Sequence, residues 1–139
     1  MAGAIYLADT SVYVLQSRHP QVRHRFETLL AEGRLAACQM TALEYLNNAP
    51  DPKGYEILWG AMHGQRWMDV TAQAMSRALE VHRLLAANSQ HRHFRLPDLI
   101  IAATAEAHGA TVLHYDIDYD RIAAVTGQPT EWVAGKGTL

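Results

Sequence analysis

Short apolar runs, separated by longer amphipathic stretches and repeatedly bounded by an acid, constrain this chain more than any local motif. Asp9 closes the run Ala4-Ile5-Tyr6-Leu7-Ala8, and Glu44 lies just after Leu35-Ala36-Ala37-Cys38. Asp98 opens the apolar stretch Leu99-Ile100-Ile101-Ala102-Ala103, and Asp116 ends Thr111-Val112-Leu113-His114-Tyr115. Apolar runs this short, alternating with helical patterns, read as buried strands in βαβ units, and so as an α/β fold with a mainly parallel sheet. In such a sheet the carboxyl ends of the strands open onto one crevice. Four carboxylates gathered there repel one another. A hard divalent cation relieves that repulsion, and Mg²⁺ takes oxygen ligands of this kind.

The rest of the chain fits that pattern. Strands are expected at residues 4–8, 34–38, 66–70, 111–115 and 130–133. An amphipathic helix is expected over 20–32, with Val22, Phe26, Leu29 and Leu30 on one face and Gly33 as its stop. Further helices are expected from about Thr41, over 53–63, over 72–87, from Pro97 to His108, and over 119–126. Asn88 to Arg95 reads as a polar loop rich in His and Arg.

Each candidate acid also has a plain structural explanation. Asp9 serves equally well as a helix cap or as a ligand. Glu44 forms a possible capping box with Thr41. Asp98 fits the favourable end of a helix dipole, yet its stripe, shared with Ala102 and Ala105, faces inward, where a carboxylate needs a partner or a metal. Asp116 is a possible cap for the helix near Tyr119, a job for which Asp118 looks better placed. Four independent caps would have no reason to share one end of one sheet.

Composition bounds the function. The 139 residues are expected to form a single domain, 1–139, and 49% hydrophobic residues suffice for a real core. The net charge of −2 excludes a global basic field, so nucleic acid would be met by local patches. The basic residues are Arg except for Lys53 and Lys136, and Arg suits phosphate. The single cysteine, Cys38, excludes a disulfide scaffold, and its apolar setting argues against a nucleophile. No signal peptide or membrane span is read, so a cytoplasmic setting is expected. The eight histidines show no helical zinc spacing, and no phosphate-binding glycine loop or G-x-S-x-G elbow occurs.

Four pieces, Leu7-Ala8-Asp9-Thr10-Ser11, Thr41-Ala42-Leu43-Glu44-Tyr45, Leu96-Pro97-Asp98-Leu99-Ile100-Ile101-Ala102-Ala103 and Leu113-His114-Tyr115-Asp116-Ile117-Asp118-Tyr119-Asp120-Arg121-Ile122-Ala123, taken in order, resemble the PIN domain, and within it the VapC toxins of bacterial toxin–antitoxin pairs. The resemblance covers nearly the whole chain. It implies a three-layer sandwich, with a central sheet between helices on both faces, and a metal-dependent endoribonuclease. The implied catalytic and metal-binding set is Asp9, Glu44, Asp98 and Asp116, with Asp118 able to share or replace the last. Thr10 or Ser11 would support Asp9. One departure is His114, standing where family members often carry Thr or Ser.

By the same resemblance, phosphodiester hydrolysis needs no protein nucleophile and leaves a 5′-phosphate and a 3′-hydroxyl. Arg92, His93 and Arg95, close before Asp98, are candidates to hold RNA. The chain is expected to be a homodimer whose cellular partner is a small antitoxin, with an apolar helix laid between the early helices. Tyr55, Leu58, Trp59 and Met62 are the candidate antitoxin contacts, because residues 55–62 carry more large apolar groups than one helix face needs. Two rivals are a receiver-type phospho-acceptor domain, whose late lysine this chain lacks, and an inert PIN-like interaction module, against which the intact acids argue.

Overall fold

The computed structural model describes residues 3–139; the first two residues of the expected domain lie outside the described residues. The order of elements is β1 (Tyr6–Ala8), α1 (Thr10–Gln16), α2 (Pro20–Ala31), β2 (Leu35–Ala37), α3 (Gln39–Leu46), α4 (Pro52–His63), β3 (Arg66–Trp67), α5 (Ala72–Ala86), α6 (Leu96–Ala107), β4 (Thr111–His114), α7 (Ile117–Thr126) and β5 (Thr130–Trp132). The five strands form one sheet in the order β3-β2-β1-β4-β5, and every pairing is parallel. The α/β expectation, with helices on both faces, therefore holds.

Alternation along the strands builds two cores. Leu7, Ala36 and Val112 face α5, α6 and α7, where Val81, Leu85, Ile101 and Ile122 pack. Tyr6, Ala8, Leu35, Ala37 and Leu113 face α1 to α4, where Val12, Val22, Phe26 and Leu29 pack. Both faces of the sheet are thus covered, as short all-apolar parallel strands require. Gly33 ends α2 at φ 67° and Gly127 caps α7 at φ 74°, a left-handed conformation that favours glycine.

β1 is the centre of the sheet. The chain leaves it to build β2 on one side and returns to build β4 on the other. That reversal opens a crevice at the carboxyl ends of β1 and β4. Asp9 follows β1 directly, and Asp116 lies two residues beyond β4.

Three local expectations are corrected. The strand over 66–70 shrinks to Arg66–Trp67, because side chains take over its later hydrogen bonds. Gln39 Oε1 accepts from Val70 N, and Gln39 Nε2 and Trp67 Nε1 both donate to Asp69 Oδ1. Thr41 and Glu44 do not form a capping box: α3 starts at Gln39, with Cys38 as N-cap and Thr41 Oγ1 accepting from Cys38 N at 3.0 Å. Finally, Asp116 rather than Asp118 caps α7, accepting from Asp118 N at 2.9 Å, so the helix begins two residues early, at Ile117.

Candidate metal centre

Asp9 is 6% exposed and does two jobs at once. As N-cap of α1, its Oδ2 accepts from Ser11 N at 3.3 Å and Ser11 Oγ at 2.6 Å. Its Oδ1 accepts from the Tyr119 hydroxyl at 2.7 Å. Both oxygens are thereby fixed at the mouth of the crevice. Glu44, freed from any capping box, turns from α3 into the same space. Thr10 Oγ1 donates to its Oε1 at 2.8 Å, and Arg95 Nη2 donates to its Oε2 at 2.6 Å. Thr10 thus bonds to Glu44, and Ser11 bonds to Asp9.

Asp98 sits in the first turn of α6, just after Pro97, and is 3% exposed. Proline at that position costs no hydrogen bond, because the first amides of a helix lack intrahelical partners. The Tyr119 hydroxyl lies 3.3 Å from Asp98 Oδ1. Burial, followed by the charge on Asp9, raises the Asp98 pKa from 3.8 to about 7, with Arg95 opposing the rise. A phenol has only one proton, and Tyr119 donates it to Asp9 across the shorter contact. A protonated Asp98 completes the pair by donating to the phenol oxygen. Burial, then the charges of Asp9 and Asp98, raises the Tyr119 pKa, so the phenol keeps its proton.

Oxygen atoms of Asp9, Glu44 and Asp98 all lie within 4.8 Å of one another. They line a cleft of about 410 Å³ together with Thr10, Ser11, Asn47, Arg95 and Asp116. The donor set is all oxygen, it is preorganised by hydroxyls, and burial together with the neighbouring Asp9 charge raises the pKa of Asp98 to about 7. Those features fit a hard divalent cation.

The other expected site residues are spread more widely. Asp116 lines the cleft but turns one oxygen to its helix cap. Asp118 is not part of the cleft lining; its Oδ1 accepts from Arg121 Nη1 at 3.0 Å and lies 3.2 Å from His93 Nε2. Of the two late acids, Asp116 is the one beside the trio. Arg92 and His93 are exposed on the loop before α6, whereas Arg95 reaches into the cleft. His114 is fully buried, and burial lowers its pKa. Its Nδ1 accepts from Asp116 N at 3.1 Å, which puts the proton on Nε2. That nitrogen has no hydrogen-bond partner among the described residues and lies 3.9 Å from Asp120 Oδ1. The departure at His114 thus holds the turn that carries Asp116.

On α4, Tyr55 and Trp59 are exposed, and Leu58 is half-buried against the core. Met62 is 0% exposed and packs in the core. Tyr13, Phe26, Leu30, Tyr45 and Met62 line an apolar groove of about 390 Å³ among α1, α2, α3 and α4. Tyr119 is the residue that sequence reasoning missed. Its signal was a phenol on the buried face of a helix beside the acids, where the hydroxyl must find a polar partner.

The PIN domain family model matches residues 6–125. The chain belongs to the PIN domain family. Among its relatives is a protein named Ribonuclease VapC51 from Mycobacterium tuberculosis, 46% identical over 134 residues and covering 96% of each chain. Another is Ribonuclease VapC18 of the same species, 39% identical over 137 residues, or 97% of this chain and 99% of that one. Solved structures share the fold. DNA-bound VapBC from Salmonella typhimurium aligns with a TM-score of 0.76 at 18% identity, covering 95% of this PIN domain and 100% of that chain. VapBC-1 from nontypeable Haemophilus influenzae aligns with a TM-score of 0.69 at 21% identity, covering 93% and 98%.

Proposed function

We propose that this PIN domain is a metal-dependent endoribonuclease, the toxin of a toxin–antitoxin pair, that hydrolyses RNA phosphodiester bonds with Mg²⁺, or Mn²⁺ in its place. The observation that carries this reading is the convergence of Asp9, Glu44 and Asp98 within 4.8 Å in an open cleft. The names of its relatives, Ribonuclease VapC51 and Ribonuclease VapC18, give the reaction class.

Asp9, Glu44 and Asp98 would hold the cation, with Asp116 at the edge of the site. A bound cation supplies Lewis acidity for attack of water on phosphorus and offsets the charge that develops there. The chain's own groups prepare that site. Ser11 and Tyr119 fix both oxygens of Asp9, Thr10 fixes Glu44, and Asp98 releases its proton when it takes up the cation. Neither Cys38 nor Tyr119 is poised as a nucleophile. Cys38 is buried with its thiol pKa raised by that burial, and Tyr119 holds its proton. Arg92, His93 and Arg95 would hold RNA phosphates, and single strands or loops, whose bases are accessible, suit the open cleft.

The partner reading rests on the apolar groove beside α4. An antitoxin helix laid there would follow the helix-in-groove mode, and Tyr55, Leu58 and Trp59, on the same helix α4 but outside the groove lining, would extend the contact. The solved VapBC complexes favour a protein partner of this kind. A homodimer in the cytoplasm completes the proposal. Among the described residues, no helix is long and apolar enough to cross a membrane.

The decisive experiment measures cleavage of single-stranded RNA with Mg²⁺ or Mn²⁺, with EDTA, and with purified Asp98→Asn. Activity with either metal and its loss in the other two conditions are expected. Undiminished cleavage in chelator, with metal content verified, overturns the mechanism. Zn²⁺ should not be a specific activator of an all-oxygen site.

A further inference from the structure

Arg95 is the cation closest to the acidic trio, and its position is unusual for a group meant only to hold substrate. It is the N-cap of α6, with extended backbone at φ −73° and ψ 134°. From there its Nη2 lies 2.6 Å from Glu44 Oε2, and its Nη1 lies 3.8 Å from Asp98 Oδ1. Those two acids belong to the set that would take up a divalent ion. The guanidinium therefore stands against the same oxygens a metal needs. It grips Glu44 through one nitrogen, without the paired fork that makes Arg–carboxylate contacts strong. Its side chain is 65% exposed, so packing does not lock it in place.

From this geometry we infer that Arg95 is the pocket's internal counter-ion: it pairs with Glu44 while the cation is out and is exchanged against the cation when one binds, which frees its guanidinium for an RNA phosphate. The inference rests on the proposed metal-nuclease reading. A divalent ion among three carboxylates offsets their repulsion more fully than a single guanidinium at the rim. Once the cation is bound, Arg95 is left beside a positive charge and loses its hold on Glu44. It remains at the cleft edge, two residues from His93 and three from Arg92 on the exposed loop. Its planar donor fork then matches a phosphate, which the polyanionic substrate brings to that edge.

The test is calorimetric titration of Mn²⁺ into wild type, Arg95→Gln and Arg92→Gln, with no RNA or antitoxin present. Arg92 is the control, because it carries the same charge on the same loop but is outside the cleft lining. Arg95→Gln should bind Mn²⁺ roughly twofold to fivefold more tightly than wild type, as removal of one exposed ion pair implies. Arg92→Gln should stay near wild type. Unchanged or weaker binding in Arg95→Gln overturns the exchange, as does equal tightening in both variants, which would mark a bulk charge effect. A wild type that binds no Mn²⁺ overturns the metal centre itself, a separate and recognisable result. With saturating Mn²⁺ and single-stranded RNA, Arg95→Gln should raise KM more than it lowers kcat. A KM equal to wild type removes the phosphate role.

Discussion

Asp98 is the residue on which the chemistry and the stability of the pocket meet. Its pKa is raised from 3.8 to about 7 by burial and by Asp9, so the folded chain binds a proton that the unfolded chain has lost. Between those two values the folded state holds more protons, and stability must fall as pH rises. Metal-free protein should therefore lose on the order of a few kcal/mol from this group between pH 4 and 7. Thermal melts in EDTA across that range check the slope. Asp98→Asn should flatten it and raise the metal-free Tm near neutrality; an unchanged slope removes Asp98 as its source. Mn²⁺ affinity should follow the opposite course, climbing with pH and levelling above about 7, because the ion competes with that proton. Tyr119 makes a second prediction at this scale. Its hydroxyl is hydrogen-bonded to Asp9 and Asp98 inside the core. Tyr119→Phe should cost about 1 kcal/mol in urea denaturation and weaken Mn²⁺ binding, because Asp9 loses the donor that orients it. Unaltered Mn²⁺ affinity would leave Tyr119 a packing residue only.

At the scale of elements, α4 divides its apolar residues between two uses. Met62 points into the core and Trp59 points out, stacked between Tyr55 and His63 at ring separations of 6.3 and 4.5 Å. Trp59→Ala should lower antitoxin affinity while leaving RNA cleavage intact, as measured by titration and by cleavage of single-stranded RNA. Met62→Ala should instead destabilise the fold by about 2–5 kcal/mol in urea, the usual cost of emptying a core site. Equal antitoxin affinity for Trp59→Ala and wild type removes Trp59 from the interface. The sequence could not make this division, because five large apolar residues in eight positions show that a helix is crowded without showing which turn touches the sheet. The strands and helices themselves were legible, since apolar period and Gly, Pro and Asx punctuation act locally. Their ends were less so. Cys38 gave no sign of capping α3, and the shortening of β3 depends on Gln39, which meets Asp69 across 30 residues of sequence. The acids showed the same limit. Asp98 was readable as inward-facing and Asp9 as an acid at a strand end, but which of Asp116 and Asp118 caps α7 turned on a backbone amide, and Tyr119 became visible only once α7 packed over the cleft.

At the scale of the whole molecule, the pocket couples folding to the cation. An ion that binds only the folded state stabilises it by mass action, by about 2.7 kcal/mol at a hundredfold excess over Kd. Mn²⁺ should therefore raise Tm in a concentration-dependent way, EDTA should reverse the shift, and Asp98→Asn should mute it. A Tm indifferent to Mn²⁺ would mean that the acidic trio takes no ion. The sheet order carries one more consequence. β1 lies between β2 and β4, so Asp9 meets Glu44 and Asp98 only after the chain has folded back across the sheet's centre. Asp98 and Tyr119, which complete the cleft, lie on α6 and α7, after the crossover through β3 and α5. Asp9 and Glu44 precede that crossover, so the first half of the fold holds two of the three carboxylates and cannot close the site by itself. Two separate stretches of the chain must dock before any cation could be held, so a fragment lacking α6 and α7 would be an unarmed sheet rather than a weakened nuclease.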